Sequence, residues 1–443
     1  MFVRVAAAFL LVGLSAAQDN VSRMEEVIQS YVSSKTFMGS VLVARGDKII
    51  LSKGYGFANL EWQVADTPET KYRLGSITKQ FTAASILLLE ERGKLKTDDP
   101  VKKYISDAPA DWDKVTIFHL LTHTSGIPSF TDFPDYSSTE ATATTPEKLV
   151  ARFRDKPLDF QPGEKWKYSN SGYVLLGYLI EKIAQQSYSQ FVQENIFNPL
   201  GMKDSGYDSN TAIIPHRASG YEHSEKGIAN AGFIDMSIPF SAGALYSTTE
   251  DLLRWEQGLM GGKLLSPASL KKMTTPFKNE YAFGLGVHTR NGRTVISHNG
   301  GIEGFNTSLA YYPDDKLTVA VLANLTGNTP DALTGKIAAV AHGENVTLAT
   351  ERKEIQLPVK TLAGYVGTYE VTPGFDVVMT LEGNQLMTQA TDQSKFPLFA
   401  ESETKFFLKV VEAELEFFKN DKGEVTHLVI YQGGQEVKAT RKQ

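Results

Sequence analysis

The sequence has 443 residues, a formal net charge of −6 at pH 7 and no cysteine. This length allows two or three domains with a large core, and the hydrophobic (42%) and charged (22%) fractions are those of a globular protein. The charge gives no indication of nucleic-acid binding, and the lack of cysteine excludes disulfides, thiolate catalysis and zinc–thiolate sites.

The first 17 residues have the composition of a secretory signal peptide. Arg4 supplies the positive charge, the apolar run 5–14 follows it, and Ser15-Ala16-Ala17 are the small residues that precede a cleavage site. The apolar run is too short to cross a bilayer, so an uncleaved N-terminal anchor is the weaker interpretation. We expect cleavage after Ala17 and a secreted or periplasmic protein.

The next segment predicts a helix, a hairpin and a second helix. Apolar residues of 21–34 recur at helical spacing, and the predicted strands 40–44 and 48–52 flank an Arg-Gly-Asp turn. The second helix is strongly apolar. It begins near Ser76 and ends at Gly93, a residue type typical of the position after a helix.

Ser76 lies three residues before Lys79 at the start of this apolar helix. Residues i and i+3 share a helix face, so the hydroxyl and the amine can meet beside the free N–H groups of the helix N-terminus. Burial lowers the pKa of a lysine, and a neutral lysine could take the serine proton. Gly75 permits the close approach of another backbone or of a substrate.

Some short motifs in the chain are interpreted as chance matches. The same Ser-x-x-Lys spacing occurs without a long apolar helix in Ser269/Lys272 and Ser402/Lys405. His119 and His123 have the i, i+4 spacing of a zinc pair, but the sequence places no glutamate at the second position and no third ligand nearby. We therefore predict no metal and no cofactor.

The middle of the chain is predicted to be mainly helical with long loops. Helices are expected over 115–122 and 173–185, and a capping box at 247–250 predicts the start of another. The segment 127–144 is rich in Pro, Ser, Thr and aromatic residues. We interpret it as a surface loop that forms one wall of a cleft, or alternatively as an insertion without that role.

Tyr168-Ser169-Asn170 follows a Pro-Gly turn at the start of one of these helices. The phenol of Tyr168 could relay a proton if neighbouring cations lower its pKa. The Asn170 amide could bond both Lys79 and a substrate carbonyl. Taken alone, the motif is more often a loop tyrosine at a helix start.

From Tyr281 the sequence pattern changes to a period of two. It predicts a helix over 332–341 and, before it, the strands 284–288, 294–297, 307–312 and 316–323. An Asn-Gly pair inside the first of these hairpins is a strong turn signal. Strands at both ends of this region with helices between them indicate one antiparallel sheet with an inserted helical domain.

His298-Asn299-Gly300-Gly301 continues from the second of these strands. The glycines Gly300 and Gly301 would let a substrate lie against the strand edge. A backbone N–H here could be one donor of an oxyanion hole, with the N–H of Ser76 as the other. Taken alone, a histidine at a strand end beside glycines is more often structural.

The C-terminal part of the chain predicts a linker and a barrel. Residues 345–360 are charged and lack a core pattern. After them come eight short predicted strands, which suggest a small closed antiparallel barrel: 367–371, 375–381, 385–389, 395–399, 405–410, 415–419, 425–431 and 436–441.

The order Ser-x-x-Lys, Tyr-x-Asn and His-x-Gly resembles the penicillin-recognising serine hydrolases. The nearest group contains class C β-lactamases, D,D-carboxypeptidases, D-aminopeptidases and related esterases, and stretches such as 118–126, 198–202 and 243–248 agree with it. The resemblance implies a β-lactamase-like fold of mixed α/β (α+β) type, with an antiparallel sheet flanked by helices. Residues 362–369 look like the start of the lipocalin-like barrel that follows the catalytic domain in some members.

The domain division that we predict has four parts: a signal peptide 1–17, a β-lactamase-like serine hydrolase domain 18–344, a linker 345–360 and a lipocalin-like barrel 361–443. The expected partner is a small ester, amide or peptide substrate. We expect no nucleic acid and no membrane span. The sequence does not predict the oligomeric state.

The resemblance also implies a role for each motif. Ser76 would attack the carbonyl to form an acyl-enzyme, and Lys79 and Tyr168 would share the base and acid duties as a coupled pair. Asn170 and Gly300 would contact the substrate, and His298 would line the third side of the site. The N–H groups of Ser76 and Gly301 would hold the oxyanion.

One departure from the β-lactamase pattern bears on the substrate. Dedicated β-lactamases usually carry Lys-Thr-Gly at the third motif, whereas this chain has His298-Asn299-Gly300. A histidine is mostly neutral at pH 7, so the pattern favours an esterase or peptidase. The alternatives are a true β-lactamase, a penicillin-binding protein that is released slowly, and an inactive binding or scaffold protein.

Overall fold

The computed structural model describes residues 20–348, 351–391, 393–409, 413–432 and 435–442. The predicted signal peptide, 1–17, lies outside these residues. The chain divides into two compact units, Lys35–Ala338 and a unit that combines Met1–Ser34 with Ala339–Gln443. Among the described residues, we find no helix with both the length and the apolar character needed to cross a membrane.

The strands of the first unit include one large sheet and several short ladders. They are β1 Gly39–Arg45, β2 Lys48–Tyr55, β3 Phe57–Asn59, β4 Val64–Ala65, β5 Tyr72–Arg73, β6 Gly206–Tyr207, β7 Tyr221–Ser224, β8 Gly227–Asn230, β9 Leu245–Ser247, β10 Gly286–Arg290, β11 Arg293–Ile302, β12 Phe305–Tyr312 and β13 Leu317–Ala323.

The large sheet is antiparallel, with the strand order β10-β11-β12-β13-β1-β2. The two ends of the region meet where β1 pairs with β13, with Val41 opposite Val321. The predicted sheet, built from both ends of this region around a helical insertion, is therefore confirmed. The predicted Asn-Gly turn joins β10 to β11, and both Asn291 and Gly292 have the positive φ that such a hairpin turn requires.

The helices of the chain are α1 (residues 20–33), α2 Thr78–Glu91, α3 Ile117–Leu121, α4 Tyr136–Thr139, α5 Pro146–Arg154, α6 Asn170–Ala184, α7 Tyr188–Val192, α8 Asn198–Leu200, α9 Phe240–Gly243, α10 Thr249–Met260, α11 Pro267–Thr274, α12 Thr329–Ala341 and α13 Val359–Ala363.

Helix α2 is the central helix of the first unit. Every residue from Thr78 to Leu89 is buried, which explains why its sequence is apolar on all sides rather than on one face. It packs against α6 and α9. It ends as predicted, with Gly93 in the left-handed conformation at φ +69°.

Two local predictions need correction. The capping box was placed one residue early, because Thr248 is the residue before α10 and its Oγ1 accepts a hydrogen bond from the N–H of Asp251. Ser247 belongs to β9, and its hydroxyl contacts that of Ser205. The segment 127–144 is also not wholly a surface loop, because the side chain of Phe130 is buried in the core.

The second unit contains a closed barrel of eight antiparallel strands, as predicted. They are β14 Gly367–Thr372, β15 Phe375–Glu382, β16 Gln385–Ala390, β17 Phe396–Ala400, β18 Lys405–Phe407, β19 Ala413–Lys419, β20 Val425–Gln432 and β21 Gln435–Arg441. The pairing of Tyr369 with Arg441 closes the barrel. Its interior is filled by side chains such as Met379, Phe417 and Leu428, as expected for a small barrel.

Residues of the predicted linker make specific contacts within this second unit. Ile355 donates its N–H to the carbonyl of Ala400 at 2.8 Å, and Arg352 pairs with Glu401 at 3.2 Å. The segment is thus fastened to the barrel wall at Ala400 and Glu401.

Candidate active site

The serine and lysine of the first motif come together where α2 begins. Ser76 lies in a short 3₁₀ turn, Gly75–Ile77, immediately before Thr78, the first residue of α2. The Nζ of Lys79 lies 2.9 Å from the Oγ of Ser76. The i, i+3 spacing therefore brings the two groups together as predicted, although Ser76 precedes the α-helix rather than forming part of it.

The amine of Lys79 is completely enclosed and has two further partners. It donates to the Oδ1 of Asn170 at 2.8 Å and to the carbonyl oxygen of Ala242 at 2.9 Å. Burial holds the pKa of Lys79 well below its usual value, and the described residues place no carboxylate within ion-pair distance of it. Burial thus shifts Lys79 towards its neutral form.

The partners of Lys79 also fix where the lone pair of a neutral amine points. An uncharged –NH₂ group has two N–H donors and one lone pair. Asn170 Oδ1 and the Ala242 carbonyl oxygen can only accept, so they take the two donors. The lone pair then faces the Ser76 hydroxyl, which is the partner able to donate a proton.

Asn170 is held in place from both ends of its amide. It is the first residue of α6, after the helix cap Ser169, whose Oγ accepts from the N–H of Gly172. Its Nδ2 donates to the Oγ1 of Thr131 at 3.0 Å, and its Oδ1 accepts from Lys79. The predicted contact between Asn170 and Lys79 is therefore present.

Tyr168 lies beside the same amine but has an unexpected electrostatic environment. The Lys79 Nζ is 4.8 Å from the centre of its ring. Burial raises the pKa of Tyr168, and only its hydrogen bond with Ser76 works in the opposite direction. The cation-lowered phenol that we considered from the sequence is therefore wrong, because the neighbouring lysine is itself driven towards its neutral form.

The hydrogen bonds of His298 define a neutral, fixed tautomer. Its Nδ1 lies 2.6 Å from the carbonyl oxygen of Asn299, so this nitrogen carries the proton, and its Nε2 lies 2.9 Å from the hydroxyl of Tyr281, which donates to it. Burial, followed by the proximity of Lys79, lowers the pKa of His298 to about 4. The imidazole is uncharged at neutral pH.

The glycines of the third motif allow two backbones to meet. A Cβ on Gly300 would lie 1.9 Å from the carbonyl oxygen of Leu74, and one on Gly75, at φ +54°, would lie 2.8 Å from the backbone N of Gly301. The 3₁₀ turn that carries Ser76 thus packs directly on β11. The pairing of β11 with β10 ends at Ser297. From His298 onward, the edge of β11 that faces β10 is therefore not paired with that strand.

An open cleft contains Ser76, Asn170 and Gly301 in its walls. The other residues that line it are Gly75, Phe130, Thr131, Tyr136, Ile234, Pro239, Ala242, Gly243, Ile302 and Glu303. The segment 127–144 contributes three of these residues and is therefore one wall of the cleft, as predicted. Tyr168 and His298 are not among the lining residues.

Several residues of the site were not identified from the sequence. Ala242 acts through its backbone carbonyl, which leaves no side-chain signal, and Thr131 lies in a segment rich in Pro, Ser and Thr. Tyr281 reaches His298 across the sheet edge. His123, at φ +56°, accepts a hydrogen bond from the N–H of Ser169 at 3.1 Å. The centre of its ring lies 4.2 Å from that of the Tyr168 ring. In the sequence, the His-Thr-Ser-Gly run that ends a helix is the feature that could have identified His123 as a site residue.

The site combines a serine hydroxyl, a buried amine and backbone N–H groups beside an open cleft. Serine hydrolases use this kind of arrangement for acyl transfer. The sequence matches the family described as Beta-lactamase over residues 24–344, and the chain belongs to that family of serine hydrolases. Residues 351–441 match a domain of unknown function, DUF3471.

Relatives and solved structures agree with this assignment. "Penicillin-binding protein 4*" of Bacillus subtilis (strain 168) is 29% identical over 453 residues, which cover 96% of this chain and 99% of that protein. The octameric penicillin-binding protein homologue from Pyrococcus abyssi has a TM-score of 0.68 at 28% identity, over 95% and 100% of the two chains. A D-stereospecific amidohydrolase from Streptomyces sp. has a TM-score of 0.59 at 28% identity, over 68% and 93%.

Proposed function

We propose that the protein hydrolyses small esters, amides or D-amino-acid peptides through an acyl-enzyme on Ser76. The observation that carries the proposal is the position of Lys79, whose amine lies 2.9 Å from Ser76 Oγ while its two other partners can only accept hydrogen bonds. The D-stereospecific amidohydrolase among the similar structures supports an amide or peptide as the substrate.

In the first step, the Ser76 hydroxyl transfers its proton to Lys79 Nζ as Oγ bonds to the substrate carbonyl carbon. The carbonyl π electrons move to the oxygen, and the N–H groups of Ser76 and Gly301 stabilise the resulting oxyanion. The environment favours Lys79 over Tyr168 as the first base, because burial lowers the pKa of Lys79 and raises that of Tyr168.

Collapse of the tetrahedral intermediate expels the alcohol or amine, which takes a proton from Lys79 directly or through the Tyr168 hydroxyl. Water then attacks the ester that links the acyl group to Ser76 while the same groups accept its proton. As the bond between the acyl carbon and Oγ breaks, they return this proton to Ser76 Oγ, and the acid is released. Asn170 positions Lys79 and the substrate carbonyl, Gly300 allows the close approach of strand β11, and His298 supplies an uncharged wall.

Covalent reaction with β-lactams is the second candidate activity. It is favoured by the likeness to penicillin-binding protein 4* and to the penicillin-binding protein homologue from Pyrococcus abyssi. The neutral state of His298 argues against fast turnover of a β-lactam, because the site then has no fixed positive charge at this motif to bind the β-lactam carboxylate.

The test is the initial rate on three chromogenic substrates: a short-chain p-nitrophenyl ester, D-alanine p-nitroanilide and a cephalosporin. We expect hydrolysis of the ester or anilide and slow turnover of the cephalosporin. Ser76→Ala should remove the activity without changing the thermal unfolding midpoint. Ser402→Ala is the matched control, since Ser402 has the same spacing to a lysine, Lys405, but lies in the barrel unit.

Persistence of the full rate in Ser76→Ala would show that the nucleophile is wrong. Fast cephalosporin turnover would make the protein a β-lactamase that binds a carboxylate without the usual lysine. Stable labelling of Ser76 by a fluorescent penicillin, without turnover of any substrate, would identify a slowly deacylating penicillin-binding protein.

Export is the proposed route to the site of action, because the first 17 residues have the pattern of a signal peptide. N-terminal sequencing of the protein recovered from the culture medium or periplasm tests this directly. A start immediately after Ala17 is expected, and an intact Met1 on the recovered protein would contradict it.

A further inference from the structure

Glu303 is an acidic side chain in the cleft that the mechanism does not use. It lies in the turn between β11 and β12, two residues after Gly301, and it lines the same cleft as Ser76. The carboxylate is partly buried, and its Oε2 is shielded from solvent without a hydrogen-bond partner. A desolvated carboxylate oxygen with no partner is costly unless a ligand supplies one.

No ion pair neutralises the carboxylate of Glu303. Burial raises its pKa and Glu140 and Glu222 act in the same direction, whereas a hydrogen bond from its own backbone N–H and the charge of Arg73 oppose them. Arg73 and Arg217 both pair with Asp208. Among the residues that the structure describes, no cation forms an ion pair with Glu303, so its carboxylate can pair with a positively charged ligand.

One aromatic residue of the cleft suits the same kind of ligand. Tyr136 lines the cleft together with Glu303, and the charge of Glu303 contributes to the raised pKa of Tyr136, which indicates that the two side chains are close. The faces of aromatic rings attract ammonium groups. The cleft therefore offers a carboxylate and the neighbouring ring of Tyr136 to a cation.

The position of Glu303 along the chain indicates which atom of a substrate it would meet. Gly301 is the proposed oxyanion donor, and Glu303 is only two residues further along. In an aminoacyl compound the α-amine is separated from the scissile carbonyl carbon by two bonds. A carbonyl oxygen bound at Gly301 would thus keep the α-ammonium group within the cleft that Glu303 also lines.

We propose that Glu303 binds the free α-ammonium group of an aminoacyl ester, amide or peptide and so selects substrates whose N-terminus is unblocked. This inference rests on the proposed function of Ser76 and names the substrate class for the same site. Glu303 acts as a specificity residue, since it holds the substrate and transfers no proton.

The test compares D-alanine p-nitroanilide with N-acetyl-D-alanine p-nitroanilide, which differ in the charge of the amine. We expect the wild type to prefer the free amine by about tenfold or more in kcat/KM, the range of a hydrogen bond to a charged group. Glu303→Gln should abolish this preference through a higher KM for the free amine, with the acetylated substrate within about twofold of wild type. Glu222→Gln is the matched control, because it makes the same charge change nearby at an exposed residue that does not line the cleft.

An equal rate for both substrates in the wild type, or an equal loss on both in Glu303→Gln with an unchanged unfolding midpoint, would overturn the proposal. If neither anilide is cleaved, D-alaninamide and N-acetyl-D-alaninamide are compared as inhibitors of p-nitrophenyl acetate hydrolysis, and equal inhibition overturns it likewise. Ester hydrolysis that needs Ser76 without any preference for an amine refutes only this inference. Loss of all hydrolysis that depends on Ser76 refutes the proposed function itself.

Discussion

The hydroxyl of Tyr281 lies 2.9 Å from the Nε2 of His298 and donates to it. This contact stabilises the neutral imidazole, because the nitrogen that would take a second proton already accepts a hydrogen bond. His298 thus carries no charge under conditions in which the lysine of a Lys-Thr-Gly motif would be a cation.

Removing this hydroxyl should make His298 easier to protonate. In Tyr281→Phe we expect the pKa of His298 to rise from its value of about 4, because the neutral form loses its hydrogen bond. The measurement is the titration of the His298 ring by NMR. Tyr188→Phe is the control, since it also removes a buried hydroxyl, which contacts Thr82. An unchanged His298 midpoint in Tyr281→Phe would contradict the assigned tautomer.

The pH dependence of hydrolysis should report the protonation of Lys79. Because burial lowers the pKa of Lys79, the reactive amine is neutral above that pKa, and kcat/KM should fall as the pH drops through it. His298, with a pKa of about 4, should contribute only at the acid end. The measurement is kcat/KM on one ester from pH 5 to 9. A profile that falls as the pH rises from 6 to 8 would contradict a neutral lysine base.

Lys79→Met keeps an unbranched side chain as far as Cε and removes the amine. We expect a fall in kcat of about 10²–10⁴-fold, the range for losing a positioned general base, and no acid limb due to Lys79 in the residual rate. Circular dichroism and the unfolding midpoint establish that the variant folds. Retention of more than about a tenth of the wild-type rate would mean that another group takes the Ser76 proton.

Much of the fold could be predicted because its signals are local. The Asn-Gly turn, the apolar run after Ser76 and the alternating strands of the barrel are each read within a few residues. The antiparallel sheet then followed from the presence of strands at both ends of the region. The start of helix α10 after Thr248 was harder to predict. Ser247 satisfies the same capping pattern, and only its place in strand β9 excludes it as the cap.

The site was less predictable where it depends on packing. The spacing predicts that Ser76 and Lys79 meet, but the carbonyl of Ala242, which completes the partners of Lys79, belongs to a backbone that any residue would supply. The direction of the Tyr168 pKa shift also depends on burial. The local sequence indicates which cations lie near the phenol. It does not indicate how strongly the fold desolvates the phenol, and desolvation sets the direction of the pKa shift.

Gly300 should tolerate no side chain, whereas its neighbour should. A Cβ at Gly300 would lie 1.9 Å from the Leu74 carbonyl oxygen, so Gly300→Ala must displace the turn that carries Ser76; at Gly301 the nearest atom, Asn306 Nδ2, is 3.3 Å away. We expect Gly300→Ala to destabilise the fold by about 1–3 kcal/mol and to lower kcat. Gly301→Ala keeps the N–H and should retain the wild-type unfolding midpoint.

Urea unfolding and ester hydrolysis of the two variants check this prediction. The pair is matched because each substitution adds one methyl group to adjacent residues of the same strand. Equal loss of stability in both variants would show that the contact between β11 and Leu74 is not what restricts Gly300.

Glu256 should make the stability of the first unit depend on pH. It is buried in α10 with its Oε2 unpartnered, and burial raises its pKa to about 8. In the folded protein Glu256 stays protonated up to about pH 8, whereas in the unfolded chain it releases its proton near pH 4.5. The stabilisation that comes from this bound proton is therefore complete below pH 4.5 and is lost as the pH rises through about 8.

Glu256→Gln removes this ionisation. Relative to wild type, the variant should gain stability between pH 5 and pH 8, by at most about 1.4 kcal/mol for each pH unit. The measurement is urea unfolding at several pH values followed by tryptophan fluorescence, because the four tryptophans all belong to the unit Lys35–Ala338. Glu250→Gln is the control on the same helix, at an accessible side chain. A difference in free energy of unfolding between Glu256→Gln and wild type that stays constant over this range would mean that Glu256 is ionised in the folded protein.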